Sequence, residues 1–142
     1  MNIQPAQVSD LAGIRWLLSS EDLPIEDLTE DSIRHFLVVR DSAGVIGAVG
    51  LELHGRVVLL RSLVVAWDQR KRGLGLALAD AAESLANELG ASAIYLLTTT
   101  AADFFAARSF RIVARDEVPA EIKGTTEFAA LCPSTATVMV KP

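Results

Sequence analysis

An apolar run that ends in a basic, glycine-containing loop carries the clearest chemistry in this chain. Val57-Val58-Leu59-Leu60-Arg61-Ser62-Leu63-Val64-Val65 reads as a buried β-strand, and Arg70-Lys71-Arg72-Gly73-Leu74-Gly75 follows after a short link. The apolar spacing Leu74, Leu78, Ala81/Ala82, Leu85, Leu89 then predicts an amphipathic helix closed by Gly90. A strand that feeds a glycine loop and then a helix N-terminus makes an anion cradle. Glycine lets the backbone approach the ligand, while helix-end N–H groups and the positive end of the helix dipole face its charge. Spacing narrows the ligand. A dinucleotide fingerprint needs a third glycine where Leu78 stands, and a P-loop needs Gly-Lys-Ser/Thr where Gly75-Leu76-Ala77 stands. Neither pattern fits.

The loop resembles instead the Arg/Gln-x-x-Gly-x-Gly/Ala segment of the GCN5-related N-acetyltransferases, the GNAT superfamily. In that family the loop amides hold the pyrophosphate of acetyl-coenzyme A (acetyl-CoA). The resemblance implies cofactor contacts at Arg70, Lys71, Arg72, Gly73, Leu74, Gly75 and Leu76. It also implies that the pantetheine arm pairs with the backbone of Leu63, Val64 and Val65, with the Leu63 N–H donating to the oxyanion. A second family motif, Asn-x-x-Ala-x-x-Leu-Tyr-x-x-x-Gly-Phe, matches here at Thr98, Ala101, Phe104, Phe105, Ser109 and Phe110. Ala101, the apolar pair and Phe110 fit. Thr98, Phe105 and Ser109 replace Asn, Tyr and Gly, so Thr98, Ala101, Phe104 and Phe105 are expected against the cofactor without the usual tyrosine acid.

Composition sets the bounds. A chain of 142 residues with 51% hydrophobic and 6% aromatic content has room for one Ala/Leu/Val-rich domain, spanning 1–142. The apolar runs are short of the roughly 20 residues that cross a bilayer, and Met1-Asn2-Ile3-Gln4-Pro5 does not read as a signal peptide. A single cysteine, Cys132, excludes an internal disulfide and points to a cytoplasmic setting. A net charge of −5 argues against a nucleic-acid partner and leaves the Arg70–Arg72 run as local positive charge. The two histidines, His35 and His54, have no Cys or carboxylate at ligand spacing, so no metal is expected. The oligomeric state stays open, a homodimer included.

Patterning places the remaining elements. A first strand at Asn2–Pro5 precedes a helix through Leu11, Ile14, Leu17 and Leu18, capped by Ser9 or Asp10. A short second helix is predicted over Thr29–Arg34, then a hairpin of Phe36–Arg40 and Val45–Leu53. After the long helix come a strand at Ala93–Thr98, a helix at Ala101–Arg108, and strands at Phe110–Ala114 and Thr135–Val140. The order β-α-α-β-β-β-α-β-α-β-β is that of the GNAT fold. It implies an α/β (α+β) domain with a mixed, mostly antiparallel twisted sheet of about 6–7 strands and about 4 helices.

Two finer resemblances concern the acceptor. Leu97-Thr98-Thr99-Thr100 followed by Phe104-Phe105 is similar to the acetyltransferase domain of bacterial N-acetylglutamate synthases. Leu23-Pro24, Asp27-Leu28-Thr29-Glu30, Leu60–Val65, Leu96–Thr100 and Glu127-Phe128-x-x-Leu131-Cys132-Pro133 look like the small GNATs associated with bacterial arsenic-resistance operons. Both imply N-acetylation of a small anionic amine.

The residues available for proton transfer depart from the family. Where several members carry a glutamate base this chain has Leu59, and where many carry the tyrosine acid it has Phe105. Pairing through the His54-Gly55 turn would place Glu52 opposite Val57, on the face of Leu59, Arg61 and Leu63, which makes Glu52 the first candidate base. His54, Ser62, Tyr95, Thr98 and Thr99 are the other groups within reach. Arg61 inside an apolar strand requires a partner. With Ser62 and Glu52 it is expected either to grip an acceptor anion or to pair internally with Glu52 or an acidic residue of the first loop. Trp67 is expected to pack the corner after the strand, Cys132 to be a buried small hydrophobe, and the acidic residues from Glu21 to Asp31 to form a solvated face. A function of a different class remains open: an acyl-CoA-binding sensor on the same fold that does not catalyse.

Overall fold

The computed structural model describes residues 2–70, 73–131 and 135–142. Seven strands form one sheet: β1 (Ile3–Pro5), β2 (Phe36–Asp41), β3 (Gly44–His54), β4 (Val57–Val65), β5 (Ala93–Thr98), β6 (Arg111–Ile112) and β7 (Thr137–Lys141). Their spatial order is β1-β2-β3-β4-β5-β7-β6, antiparallel throughout except for the parallel β4–β5 pair. Helices α1 (Leu11–Ser20), α2 (Leu74–Glu88), α3 (Ala102–Ala106) and α4 (Ala120–Lys123) flank the sheet. The expected second helix at Thr29–Arg34 is a 3-10 turn at Ser32–His35, and α4 with a π-helical turn at Glu127–Leu131 fills the stretch before β7.

Both sheet faces are covered. The i, i+4 rows Leu74, Leu78, Ala82 and Ala86 seat α2 on Val49, Leu51, Val58, Leu60 and Leu96, with Phe105 and Phe110 extending that layer. Each fully buried leucine there contributes about 1.5–3 kcal/mol. On the other face, Ile14, Leu17 and Leu18 of α1 pack with Phe36, Val38, Ala48 and Val64. Further along, Val118 and Ile122 pack with Leu59 and Val138.

Two irregularities in the centre of the sheet create the cleft. First, β4 and β5 pair only at Val57–Ala93, Val58–Ile94 and Leu59–Tyr95, then diverge. Second, β4 is bulged: Arg61 opposes Gly50 and Val64 opposes Ala48, so Ser62 and Leu63 together face Val49. Ser62 takes φ +61°, a conformation a non-glycine side chain adopts at a cost. The extra residue reverses the side-chain alternation, so Leu63 and Val65 lean on the α2 layer while Leu59 and Arg61 point to the opposite face.

The register also corrects the expected position of Glu52. It stands opposite Leu59, and His54 stands opposite Val57. Because that shift is two residues, Glu52 keeps the face of Arg61, but the bulge removes Leu63 from it.

Gly50 sits opposite Arg61 because the Phe36 ring lies over it; an added Cβ would fall 2.2 Å from Phe36 Cε1. Phe36 is 1% exposed and has no room to retreat. Gly50→Ala is therefore expected to destabilise the fold by about 1–3 kcal/mol through overpacking. Urea midpoints of the two proteins check this.

Candidate active site

Where β4 and β5 part, a cleft of about 820 Å³ opens between them. Its wall includes Leu60–Val65 from β4, Gly73–Leu76 from the start of α2, and Leu96–Ala101 with Phe104 and Phe105 from the β5–α3 region. The volume lies in the usual range for small-molecule sites. Beyond Leu59 the β5-facing edge of β4 has no strand partner among the described residues, so its peptide groups are available to an extended ligand.

The glycines shape the start of α2. Gly73 precedes α2 with φ +74°, a left-handed conformation, and brings no capping side chain. The first intrahelical bond recorded there is from the Ala77 N–H to the Gly73 carbonyl, so the amides of Leu74, Gly75 and Leu76 precede the helical ladder at the cleft wall. A Cβ on Gly75 would have only Val65 Cγ2 near it, at 3.9 Å, so the space over that residue belongs to the cleft. These features fit a pyrophosphate.

Arg70, at the mouth, pairs with Glu21 from the end of α1, and its guanidinium stacks 4.9 Å above the Trp67 ring. Trp67 is thus 76% exposed and does not pack the corner as expected. Lys71 and Arg72, the other expected loop contacts, lie outside the described residues, as does Cys132.

At the β5 side, Thr98 acts as a local cap: its Oγ1 accepts from the Ala101 N–H at 2.9 Å and starts α3. Phe105 lines the cleft but is only 4% exposed, edge-on to Phe104 at 5.1 Å and to Phe110 at 5.4 Å. Residue 105 therefore supplies apolar wall and no proton.

The other end of the cleft is built around Arg61, whose side chain is 1% exposed. Its Nη1 donates to Asp27 Oδ2 and, at 2.8 Å, to Glu52 Oε2; its Nη2 donates to Asp27 Oδ1 at 2.9 Å. Its Nε donates to Ser62 Oγ at 3.0 Å and lies 3.1 Å from Glu127 Oε2. Burial opposes the charge, but the Asp27 hydrogen bonds, the field of Glu127 and the Glu52 bond outweigh it and raise the guanidinium pKa further above its ordinary value.

Of the two arrangements expected for Arg61, a grip on an acceptor anion or an internal pair with Glu52 or an acidic residue of the first loop, the structure shows the internal pair, with both Asp27 and Glu52. Asp27, expected in a solvated face, is the main partner. Glu52, the candidate base, lies behind Arg61, bonded to it and 3.2 Å from His54 Nε2, and it is not among the residues lining the cleft. Glu127 does line it, at 5% exposure. A buried arginine signals that carboxylates must gather around it, but neither Asp27 nor Glu127 is near it in sequence. Among the described residues no group of three or more His, Cys, Asp or Glu is arranged to hold a metal, and no helix is long and apolar enough to cross a membrane.

A diverging parallel strand pair beside a glycine-started helix thus leaves, among the described residues, an unpaired strand edge that leads to a polar pocket. The sequence profile of the Acetyltransferase (GNAT) family matches residues 7–111, and the chain belongs to that family of acyltransferases. Among solved structures it is similar to Rv2747 from Mycobacterium tuberculosis in complex with CoA and NLQ: TM-score 0.82, 20% identity, 99% of this chain and 98% of that one. It also resembles N-acetylglutamate synthase from Neisseria gonorrhoeae, complexed with coenzyme A and N-acetyl-glutamate, at TM-score 0.84 and 20% identity. That match covers 99% of this chain and 34% of the synthase. An aminoglycoside 6'-N-acetyltransferase complexed with coenzyme A matches at TM-score 0.73 and 15% identity, over 99% of this chain and 96% of that one.

Proposed function

We propose that the protein is an acetyl-CoA-dependent N-acetyltransferase that moves the acetyl group directly to the amine of a small, amino-acid-like acceptor. The observation that carries this reading is the continuity of one wall: the helix-end amides of Leu74–Leu76, the free edge of β4 and the Arg61–Ser62 pocket line a single cleft. Acetyl-CoA supplies an activated thioester carbonyl. The α2 N-terminus and Arg70 hold the anionic end, and Leu63–Val65 offer backbone groups to the arm. Leu63, freed from regular pairing by the bulge, offers its N–H to the carbonyl oxygen as negative charge develops. Phe104 and Phe105 keep water from the thioester.

An amino-acid-like acceptor is supported by the N-acetyl-glutamate bound to the gonococcal synthase. The sequence motifs led to an anionic acceptor with Arg61 as its anchor, a role that would require Asp27 to yield the same Nη hydrogens. Arg61 is better suited to position the pocket than to bind the acceptor. The reading places the enzyme in a bacterial cytoplasm, acting on small molecules and not on nucleic acid or a membrane; arsenic resistance rests on the motif resemblance alone. A non-catalytic acyl-CoA sensor is the second reading, favoured by Leu59 and Phe105 at the positions of the usual base and acid. Thiol release from acetyl-CoA separates the two. Release that depends on an added amine is expected; acetyl-CoA binding with no amine-dependent release from any of a panel of amino acids and diamines would support the sensor.

A further inference from the structure

The three carboxylates around Arg61 are not equivalent. Asp27 and Glu52 take the Nη hydrogens, at the far end of the guanidinium. Glu127 meets the Nε edge, beside Ser62 Oγ. Of the three, only Glu127 belongs to the cleft wall, which it shares with Ser62 and Leu63.

Its placement is rigidly built. The turn that carries it begins from Thr125, whose buried Oγ1 donates to the Ile122 carbonyl at 2.8 Å and accepts from the Phe128 N–H at 3.2 Å. The Ala129 N–H bonds the Thr125 carbonyl at 2.9 Å, and the guanidinium of Arg115 lies 5.0 Å over the Phe128 ring. A π-helical turn is a geometry that often marks functional positions. With its Nη end occupied, Arg61 cannot swing toward a ligand, and it serves to fix the Glu127 carboxylate at the wall.

We infer that Glu127 receives the acceptor's ammonium group and takes its proton, and that the cleft selects cationic amines. This rests on the transferase reading above. Among the described residues that contact Arg61, one guanidinium stands among three carboxylates, a setting that favours an ammonium over a carboxylate. The ammonium gives one proton to a Glu127 oxygen and becomes a free amine. Its nitrogen lone pair attacks the thioester carbonyl, forming C–N, while the oxyanion rests on the Leu63 N–H. As C–S breaks, the sulfur leaves with its electron pair and takes the remaining excess N–H proton. Glu127 then passes its proton to solvent through the cleft, so the net products are amide, free thiol and one proton.

The test measures thiol release from acetyl-CoA with spermidine, L-lysine and L-glutamate, for wild type and Glu127→Gln, from about pH 6 to about pH 10. Wild type is expected to prefer spermidine and L-lysine to L-glutamate. Glu127→Gln is expected to lose about 10²- to 10⁴-fold in kcat/KM near neutral pH, a loss that shrinks as the amine deprotonates in solution. Its calorimetric affinity for acetyl-CoA should equal that of wild type. A loss independent of pH, or no loss, would overturn the inference, as would a wild-type preference for L-glutamate. If Glu127→Gln does not fold, Glu127→Asp keeps the charge against Arg61 but withdraws it by one methylene. A fall in rate at unchanged acetyl-CoA affinity is then expected, and wild-type rate overturns the inference. Wild type that binds acetyl-CoA but releases no thiol with any of the three amines fails at an earlier point and removes the transferase reading itself.

Discussion

Arg61→Ala is expected to destabilise the fold by about 3–5 kcal/mol, the cost of removing one partner from a buried ionic cluster. The side chain is 1% exposed, and its loss leaves Asp27, Glu52 and Glu127 facing one another without their cation. These carboxylates come from three separate segments, so Arg61 also ties the loop after α1 and the turn before β7 to the central strand. Urea unfolding at neutral pH measures the effect. Arg61→Lys should recover only part of the stability, because a single ammonium cannot reproduce two bonds to Asp27 together with the Nε contacts to Ser62 and Glu127. The variant's kcat/KM for a carboxylate-bearing acceptor and for its matched amide should fall by the same factor. A selective loss for the carboxylate would restore Arg61 as an anion anchor; a change in stability below about 1 kcal/mol would mean that the cluster contributes no more than a surface pair.

Gly75→Glu is expected to weaken acetyl-CoA binding by about 3 kcal/mol, or roughly a hundredfold, while the protein stays folded. Gly75 is the informative glycine of the loop. Gly73, at φ +74°, would strain the backbone when substituted, so a loss there would mix folding with binding. At Gly75 the nearest neighbour of an added Cβ is 3.9 Å away, so the protein itself accepts a side chain. A glutamate there would fill the cradle and set a negative charge against the phosphates at the helix terminus. Calorimetry checks affinity and thermal unfolding checks the fold. Unchanged affinity in a folded Gly75→Glu protein would remove the pyrophosphate assignment.

Much of this molecule is local, and local features can be read from sequence. The 3.6-residue spacing of Leu74, Leu78 and Ala82, the glycines at 73 and 75, and the β-branched run of β4 each depend on neighbours a few residues away. Together they fixed the element order and the glycine-started helix N-terminus. The motif at Thr98–Phe110 likewise marked the far wall, although at residue 105 an aromatic cluster takes the place of a proton donor.

The acceptor end was decided elsewhere. Sequence required partners for Arg61 and offered Glu52 or an acidic residue of the first loop, but it did not say which loop residue would reach it and gave no sign of Glu127. Asp27 and Glu127, far away along the chain, became its partners only when the sheet brought their segments together. The bulge at Ser62 was equally hidden. It depends on how β3 and β4 pair across Val49, and it alone sends Arg61 to one face and Leu63 to the other. Periodicity reports which residues prefer burial. Which buried charge meets which, and which carboxylate faces the cleft, are set by the long-range pairing that balances desolvation against ion contact.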